Sequence, residues 1–234
     1  MERSTFLDSP ASSIAVSERS YLRRVFSWMF VGLALTSAVA VYFSSAGDVT
    51  GYFNDHVVSY YVLLGVQLGL VFGIVWALPR ISSRTAAFLF CLYAGLTGVT
   101  FSVLLEIYTS GSVVGAFAGA TGVFAGMATY GYVTDRDLSG LGGILVGALV
   151  GFLFAAIAYA FIGGSTFNLI LGIVGVLLFS VLTAYDMQKI KTQGREGFAN
   201  GEDAEKLAIF GALALYLDFI NLFISLLRIF GARR

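Results

Sequence analysis

Charge is scarce in this sequence. Asp, Glu, Lys and Arg make up 12% of its 234 residues and sum to zero net charge, against about a quarter charged in a soluble domain. A chain with no basic surplus is not built for nucleic acid. Proline is nearly absent too. Pro10 and Pro79 are the two in the chain, so its long apolar stretches are free of the strongest helix breaker. Cys91 is the single cysteine and lies in an apolar run, which excludes an intrachain disulfide. His56 is the single histidine and has no metal-ligand partners nearby in sequence. A secretory leader is also missing. The first 20 residues are polar, with Pro10 and several serines, and the charged and apolar parts follow too late. Residues 1–22 read as a polar cytosolic N-terminal tail.

What is abundant is apolar mass. Hydrophobic residues make up 58% of the chain, with 28 glycines and 21 phenylalanines, and mean hydropathy is +0.86. Seven apolar runs follow one another, roughly Val25–Phe43, Val57–Leu78, Thr85–Leu105, Ser112–Val133, Gly142–Ile162, Ser165–Tyr185 and Leu207–Leu227. Each is near the ~20 residues that carry a helix across a ~30 Å hydrocarbon layer. Strands of a membrane β-barrel are about half as long and alternate in polarity, and these runs do not. The expected fold is all-α: a polytopic membrane protein, one seven-helix transmembrane domain over residues 23–230, with a short basic C-terminus at 231–234.

Basic residues set the orientation. Arg3, Arg19, Arg23 and Arg24 precede the first run, Arg80 and Arg84 separate the second and third, and Arg136 separates the fourth and fifth. Lys189, Lys191, Arg195 and Lys206 separate the sixth and seventh. The alternate loops carry no Lys or Arg. Positive charge marks the cytosolic side, so the N-terminus is expected there. Seven complete crossings then put Arg228, Arg233 and Arg234 on the other side, a conflict that a partly inserted seventh segment would also explain. Glycines spaced four apart, Gly115/Gly119, Gly122/Gly126 and Gly143/Gly147/Gly151, predict close packing of spans four and five.

Two carboxylates sit where lipid makes them expensive. Asp218 is in the middle of span seven and Asp186 closes span six. Asp218, Asn221, Ser225 and Arg228 follow i, i+3, i+7, i+10 spacing and share one helical face. Lipid cannot hydrate such a stripe, so span seven must be surrounded by the other six. Spacing alone leaves the aspartates at different depths; they meet only if span six runs past Lys191 or span seven starts in a vestibule. Arg80, after Pro79, is a natural counter-ion at the cytosolic end. Glu106, Asp135 and Asp137 read as interfacial, with Asp137 and Ser139 supplying turn and cap chemistry. Gln67 reads as an interhelical hydrogen-bonder.

Three stretches carry a family resemblance: Tyr130–Gly140, Thr183–Lys191 and Leu215–Phe223, supported by Phe101, Ser102, Glu106 and Tyr108. The chain resembles the Bax inhibitor (TMBIM) family, in its bacterial YccA-like branch. The resemblance implies a seven-helix bundle with the last helix central and a pH-sensitive calcium leak across an inner (plasma) membrane. It also implies an aspartate dyad, here Asp186 and Asp218, that gates the leak and offers calcium a weak site. Arg80 falls where an arginine can latch that dyad. Some members carry an acidic residue inside helix two, which this chain lacks. The partners implied are the lipid bilayer and calcium as the transported ion, with no other cofactor. The alternative implied is an interaction protein regulating a membrane protease or stress response. Two carboxylates in one poorly hydrated site cannot both ionise cheaply and titrate as a pair. An intramembrane aspartyl protease also uses two aspartates but expects Gly-x-Gly-Asp, where this chain reads Leu215-Tyr216-Leu217-Asp218. A retinal protein needs a lysine inside the last span, and none is there. The chain is therefore not expected to be an enzyme.

Overall fold

The computed structural model describes residues 10–195 and 201–234, with side chains from Val16 onward. Among these residues the helices are α1 (Pro10–Ala46), α2 (Val49–Asp55), α3 (Val57–Ala77), α4 (Ser83–Ile107), α5 (Ser110–Val133), α6 (Gly142–Ile162), α7 (Ser165–Arg195) and α8 (Glu202–Phe230). A 3₁₀ turn at Ser139–Leu141 leads into α6. All but the short α2 are long and apolar enough to cross a membrane. The seven expected spans are thus present, and the chain is an all-α polytopic membrane protein.

Local chemistry sets the helix limits. Pro10 stands first in α1, where its missing N–H is no loss. Asp48 caps α2 through Gly51 N at 2.6 Å, Ser82 caps α4 through Thr85 N at 3.2 Å, and Thr109 caps α5 through Ser112 N at 3.3 Å. The side chains fill donors that a helix start leaves open. α6 ends at Gly163 and Gly164, with φ of 67° and 99°, a left-handed turn that disfavours residues with a Cβ. Glu202, Asp203 and Glu205 occupy the first turn of α8, at the positive end of its dipole.

The tail expected over residues 1–22 is not separate from the bundle throughout. Its first nine residues, Arg3 included, lie outside the described residues. From Pro10 it is already α1. The side chains from Ser17 to Tyr21 pack on a likewise extended α7, which runs ten residues past Tyr185. Arg195 Nε donates to Glu18 Oε2 at 2.8 Å, and Tyr21 Oη donates to Gln193 Oε1 at 3.1 Å. Arg24 pairs with Glu205 of α8, and Ser83 N of α4 donates to Glu202. These ties gather the basic connections at one end of the bundle, called the basic end below.

α8 is central, as expected, and is the most buried of the spans. Its wall has four helices rather than six: α1, α4, α5 and α7 pack against it, while α3 is held by α4 and α6 by α7. α3 and α6 are the least buried spans. They expose Val58, Val62, Phe72 and Trp76, and Ile144, Val146, Phe154 and Phe161, respectively. Such surfaces suit lipid.

The glycine expectation is corrected. α5 and α6 are not packing partners. A Cβ added at Gly115, Gly122, Gly126, Gly143, Gly147 or Gly151 would meet nothing within 4 Å, and at Gly119 only Leu226. Spacing of four marks one face of a helix but does not say whether that face meets protein or lipid. The tight glycines are others. Gly98 lies against the Thr36 carbonyl and Val39, Gly131 against the Ala184 backbone, and Gly175 against Ser225.

α8 runs the full length of the bundle. It is unbroken to Phe230, and the segment after it joins the α4–α5 turn. Thr109 N donates to Ala232 O at 3.0 Å and Arg234 N to Ile107 O at 2.9 Å, while Ala232 N donates to Ser112 Oγ at 2.9 Å. The C-terminal arginines therefore sit at the end opposite the basic connections. A β-bridge between Tyr108 and Arg233 gives them a structural reason to be there.

Polar contacts tie the core where apolar burial gives helices little preference over lipid. Tyr216 of α8 is fully buried. Its hydroxyl shares a 2.6 Å hydrogen bond with Thr36 Oγ1 of α1, and Thr36 Oγ1 lies 2.9 Å from Ala94 O of α4 as its donor. The ring stands edge-on to Phe90 and Tyr93. Gln67 of α3 donates to Leu96 O at 3.1 Å and to Thr100 Oγ1 at 2.6 Å, the interhelical role expected of it. Replacing Tyr216→Phe should lower stability by about 1 kcal/mol, the size of an interhelical hydrogen bond in membranes. Thermal unfolding in detergent reads this, and an unchanged midpoint would refute the tie.

Candidate functional site

Asp218 sits on α8 among buried Leu215, Tyr216, Phe219 and Leu222 and is itself 4% exposed. Its Oδ2 is buried with no hydrogen-bond partner. A buried, unmatched carboxylate oxygen is costly, which makes Asp218 the first candidate for a functional role. Asp186 of α7 lies near enough for the two carboxylates to repel. Thr183, one turn before Asp186, also faces Asp218, but its hydroxyl donates to Phe179 O at 2.7 Å.

The two aspartates come near each other because of how far α7 extends. The helix continues past Lys191 to Arg195, the first of the two conditions set by spacing. Asp186 is half-buried in a small cleft with Lys189, Ile190, Gln193, Phe210, Gly211 and Ala214. Asp218 is four residues beyond Ala214, about 6 Å deeper along α8. Lys189 is exposed and acts on Asp186 electrostatically. Lys191 instead donates to the Tyr132 carbonyl of α5.

The remaining candidates divide. Ser225 is 2% exposed and fills the space left by Gly175. Asn221 turns back on its own helix, donating to Leu217 O at 2.8 Å. Arg228 is partly buried, 5.7 Å over the Tyr159 ring, and its Nη1 has no partner. Arg80 is not brought to the aspartates. It is exposed in the turn after α3, stacked 5.0 Å over Trp76, and among the described residues it forms no ion pair. Among the described residues no three His, Cys, Asp or Glu side chains converge to hold a metal ion. Asp186 and Asp218 are two ligands, and a calcium ion takes six to eight oxygens.

Sequence reasoning missed the residues that hold α7 in place. Gln188 clamps the α5–α6 connection: Leu138 N donates to its Oε1 at 2.8 Å, and its Nε2 donates to Arg136 O at 2.8 Å. Gly131 lets α5 meet the α7 backbone at Ala184, and Tyr185 Oη reaches Gly142. The signal was available, since all lie within or beside the stretches Tyr130–Gly140 and Thr183–Lys191, which the fold brings together. Asp137 plays the turn role expected. Hydrogen bonds from Ser139, whose N–H donates at 2.9 Å, hold its carboxyl below the usual carboxylate range. Glu106 lies at the end of α4: Oε2 accepts from Thr50 N of α2 at 3.0 Å, and Oε1 is buried without a partner. His56 is exposed and stacks on Tyr52.

These features define a polytopic membrane protein whose central helix carries a buried carboxylate with a second one near it on the neighbouring helix. Residues 18–234 match the family described as inhibitor of apoptosis-promoting Bax1, and the chain belongs to the Bax inhibitor family. It is 39% identical over 217 residues to inner membrane protein YbhL of Escherichia coli K12, covering 92% of this chain and 93% of that one. It is 41% identical over 215 residues to an uncharacterised protein of Deinococcus radiodurans, covering 92% and 91%. A protein of Borreliella burgdorferi, also uncharacterised, is 39% identical over 217 residues, covering 93% and 94%.

Proposed function

We propose that this protein is a pH-sensitive calcium leak channel or transporter gated by Asp186 and Asp218. The observation that carries the reading is the facing pair itself: a buried Asp218 with an unmatched oxygen and Asp186 close by in a cleft toward the basic end. Ionisable groups inside a membrane bundle mark ion and proton routes. A pair that shares a site changes charge in coupled steps, which supplies the pH dependence. Two carboxylates hold calcium weakly, as a leak requires, because a tight site would trap the ion. Arg80 would latch the pair only by leaving Trp76, so the structure represents an unlatched arrangement under this reading.

The protein sits in an inner (plasma) membrane with the basic end and N-terminus cytosolic. The basic connections support that orientation, and the name of the Escherichia coli relative supports that membrane. Transport rather than catalysis fits a site whose two carboxylates lack the glycine-flanked second aspartate of an intramembrane protease. Regulation of a membrane protease remains the alternative, but no feature of the described residues singles out a surface for it. The test is calcium flux into proteoliposomes across a pH series. The expected result is influx that changes with pH; influx that is absent or indifferent to pH would refute the reading.

A further inference from the structure

Between the aspartates and the end opposite the basic connections, the α7–α8 seam is closed. A Cβ on Gly175 would run into the Ser225 hydroxyl, and one on Gly172 into Ile229, with the Ser225 carbonyl and Arg228 Cβ next to it. The helices approach closely there. Arg228 stands above this seam on the face it shares with Asp218, Asn221 and Ser225. The groups facing it from other elements are Tyr159 of α6, Tyr108 after α4 and Tyr60 of α3. Arg233 faces the same Tyr108 and Tyr159. All three facing side chains are phenols, and none is a carboxylate. Among the described residues neither arginine forms an ion pair, and Arg228 Nη1 has no hydrogen-bond partner. The helix dipole and the Tyr159 ring favour a cation here, and no ion pair among the described residues neutralises its charge.

We infer that Arg228 is the electrostatic barrier on the side of the site away from the basic end, and that cations reach the aspartates from the basic end but leave past Arg228 only when its charge is displaced. This rests on the proposed leak. The aspartate cleft opens among basic-end residues Lys189 and Gln193, which gives access from that end. A fixed positive charge beyond a closed seam opposes a divalent ion twice as strongly as a monovalent one at the same distance.

That doubling is the test. Wild-type protein and Arg228→Gln, Arg228→Met and Arg228→Lys variants are reconstituted in proteoliposomes, and calcium and potassium flux are measured separately, with Asp218→Asn as reference. Both neutral variants are expected to raise calcium flux by about tenfold or more, the factor for each ~1.4 kcal/mol of barrier removed. The logarithm of the calcium increase should be about twice that for potassium. Arg228→Lys, which keeps the charge, should raise flux less than either neutral variant. Two neutral side chains of different polarity keep the test intact if one fails to fold. Equal increases for both ions point to loosened packing and overturn the inference. So does unchanged calcium flux in the neutral variants while wild-type flux still depends on Asp218. Wild-type flux that does not depend on Asp218 overturns the leak reading itself, and this inference with it.

Discussion

Asp218→Asn should abolish most of the calcium flux and its pH dependence while leaving the bundle folded. Asparagine has nearly the shape of aspartate and suits the same buried space among Leu215, Tyr216 and Phe219. It carries no charge at any pH and cannot share a proton with Asp186. Two unit charges ~4 Å apart attract by about 4 kcal/mol at an effective dielectric near 20. Losing even a third of that slows passage by about tenfold, and a divalent ion loses more. Asp186→Asn should act in the same direction but less strongly, since Asp186 is half-buried and has Lys189 acting on it. Flux and unfolding midpoint should be measured on the same preparations. A folded Asp218→Asn protein with wild-type flux and pH response would remove the acidic pair from the mechanism.

Gly131→Ala should be the most damaging small substitution in the fold. The added methyl would meet the carbonyl and Cα of Ala184. Those are backbone atoms of the helix that carries Asp186, so no side-chain rotation relieves the clash. Overpacking of a tight core costs about 1–3 kcal/mol, and a backbone contact belongs at the upper end. Because the obstacle is main chain, Ala184→Gly should not rescue it. Gly126→Ala on the same helix should have the opposite sign. Nothing lies within 4 Å of its Cβ position, so the ~0.5–1 kcal/mol helix preference of alanine over glycine acts alone. Thermal unfolding of the two variants in parallel decides this. Equal effects would mean that α5 does not approach α7 as described.

The contrast between these glycines shows what was legible in the sequence. Span number and limits follow from apolar run length, because a bilayer imposes one thickness on every crossing helix. The central place of α8 was legible too, since the polar stripe from Asp218 to Arg228 cannot face lipid. Which helices form its wall was not. α3 and α5 both lack charged residues, and only the packing shows that α5 packs against α8 while α3 is held by α4. The same ambiguity put Gly143, Gly147 and Gly151 in a helix interface when they face outward. At the site, Asp218 was recognisable from its cost. The meeting with Asp186 depended on helix α7 outlasting its apolar stretch by ten residues, which hydropathy does not register. Arg80 was chosen by its place in the chain, and its side chain lies on Trp76.

The order of synthesis gives the central helix a further meaning. Of the seven crossing helices, the one every wall helix leans on is the last to leave the ribosome. Until it arrives, Thr36, Thr183 and the backbone at Gly172 and Gly175 lack the helix they pack against, although α1 and α4 already share the Thr36–Ala94 hydrogen bond. The bundle is therefore finished from the inside, by a segment that must bring a carboxylate across the bilayer to reach its place. A chain halted before α8 would have six crossings in the membrane and no core, a form that cellular quality control should recognise by its exposed polar lining.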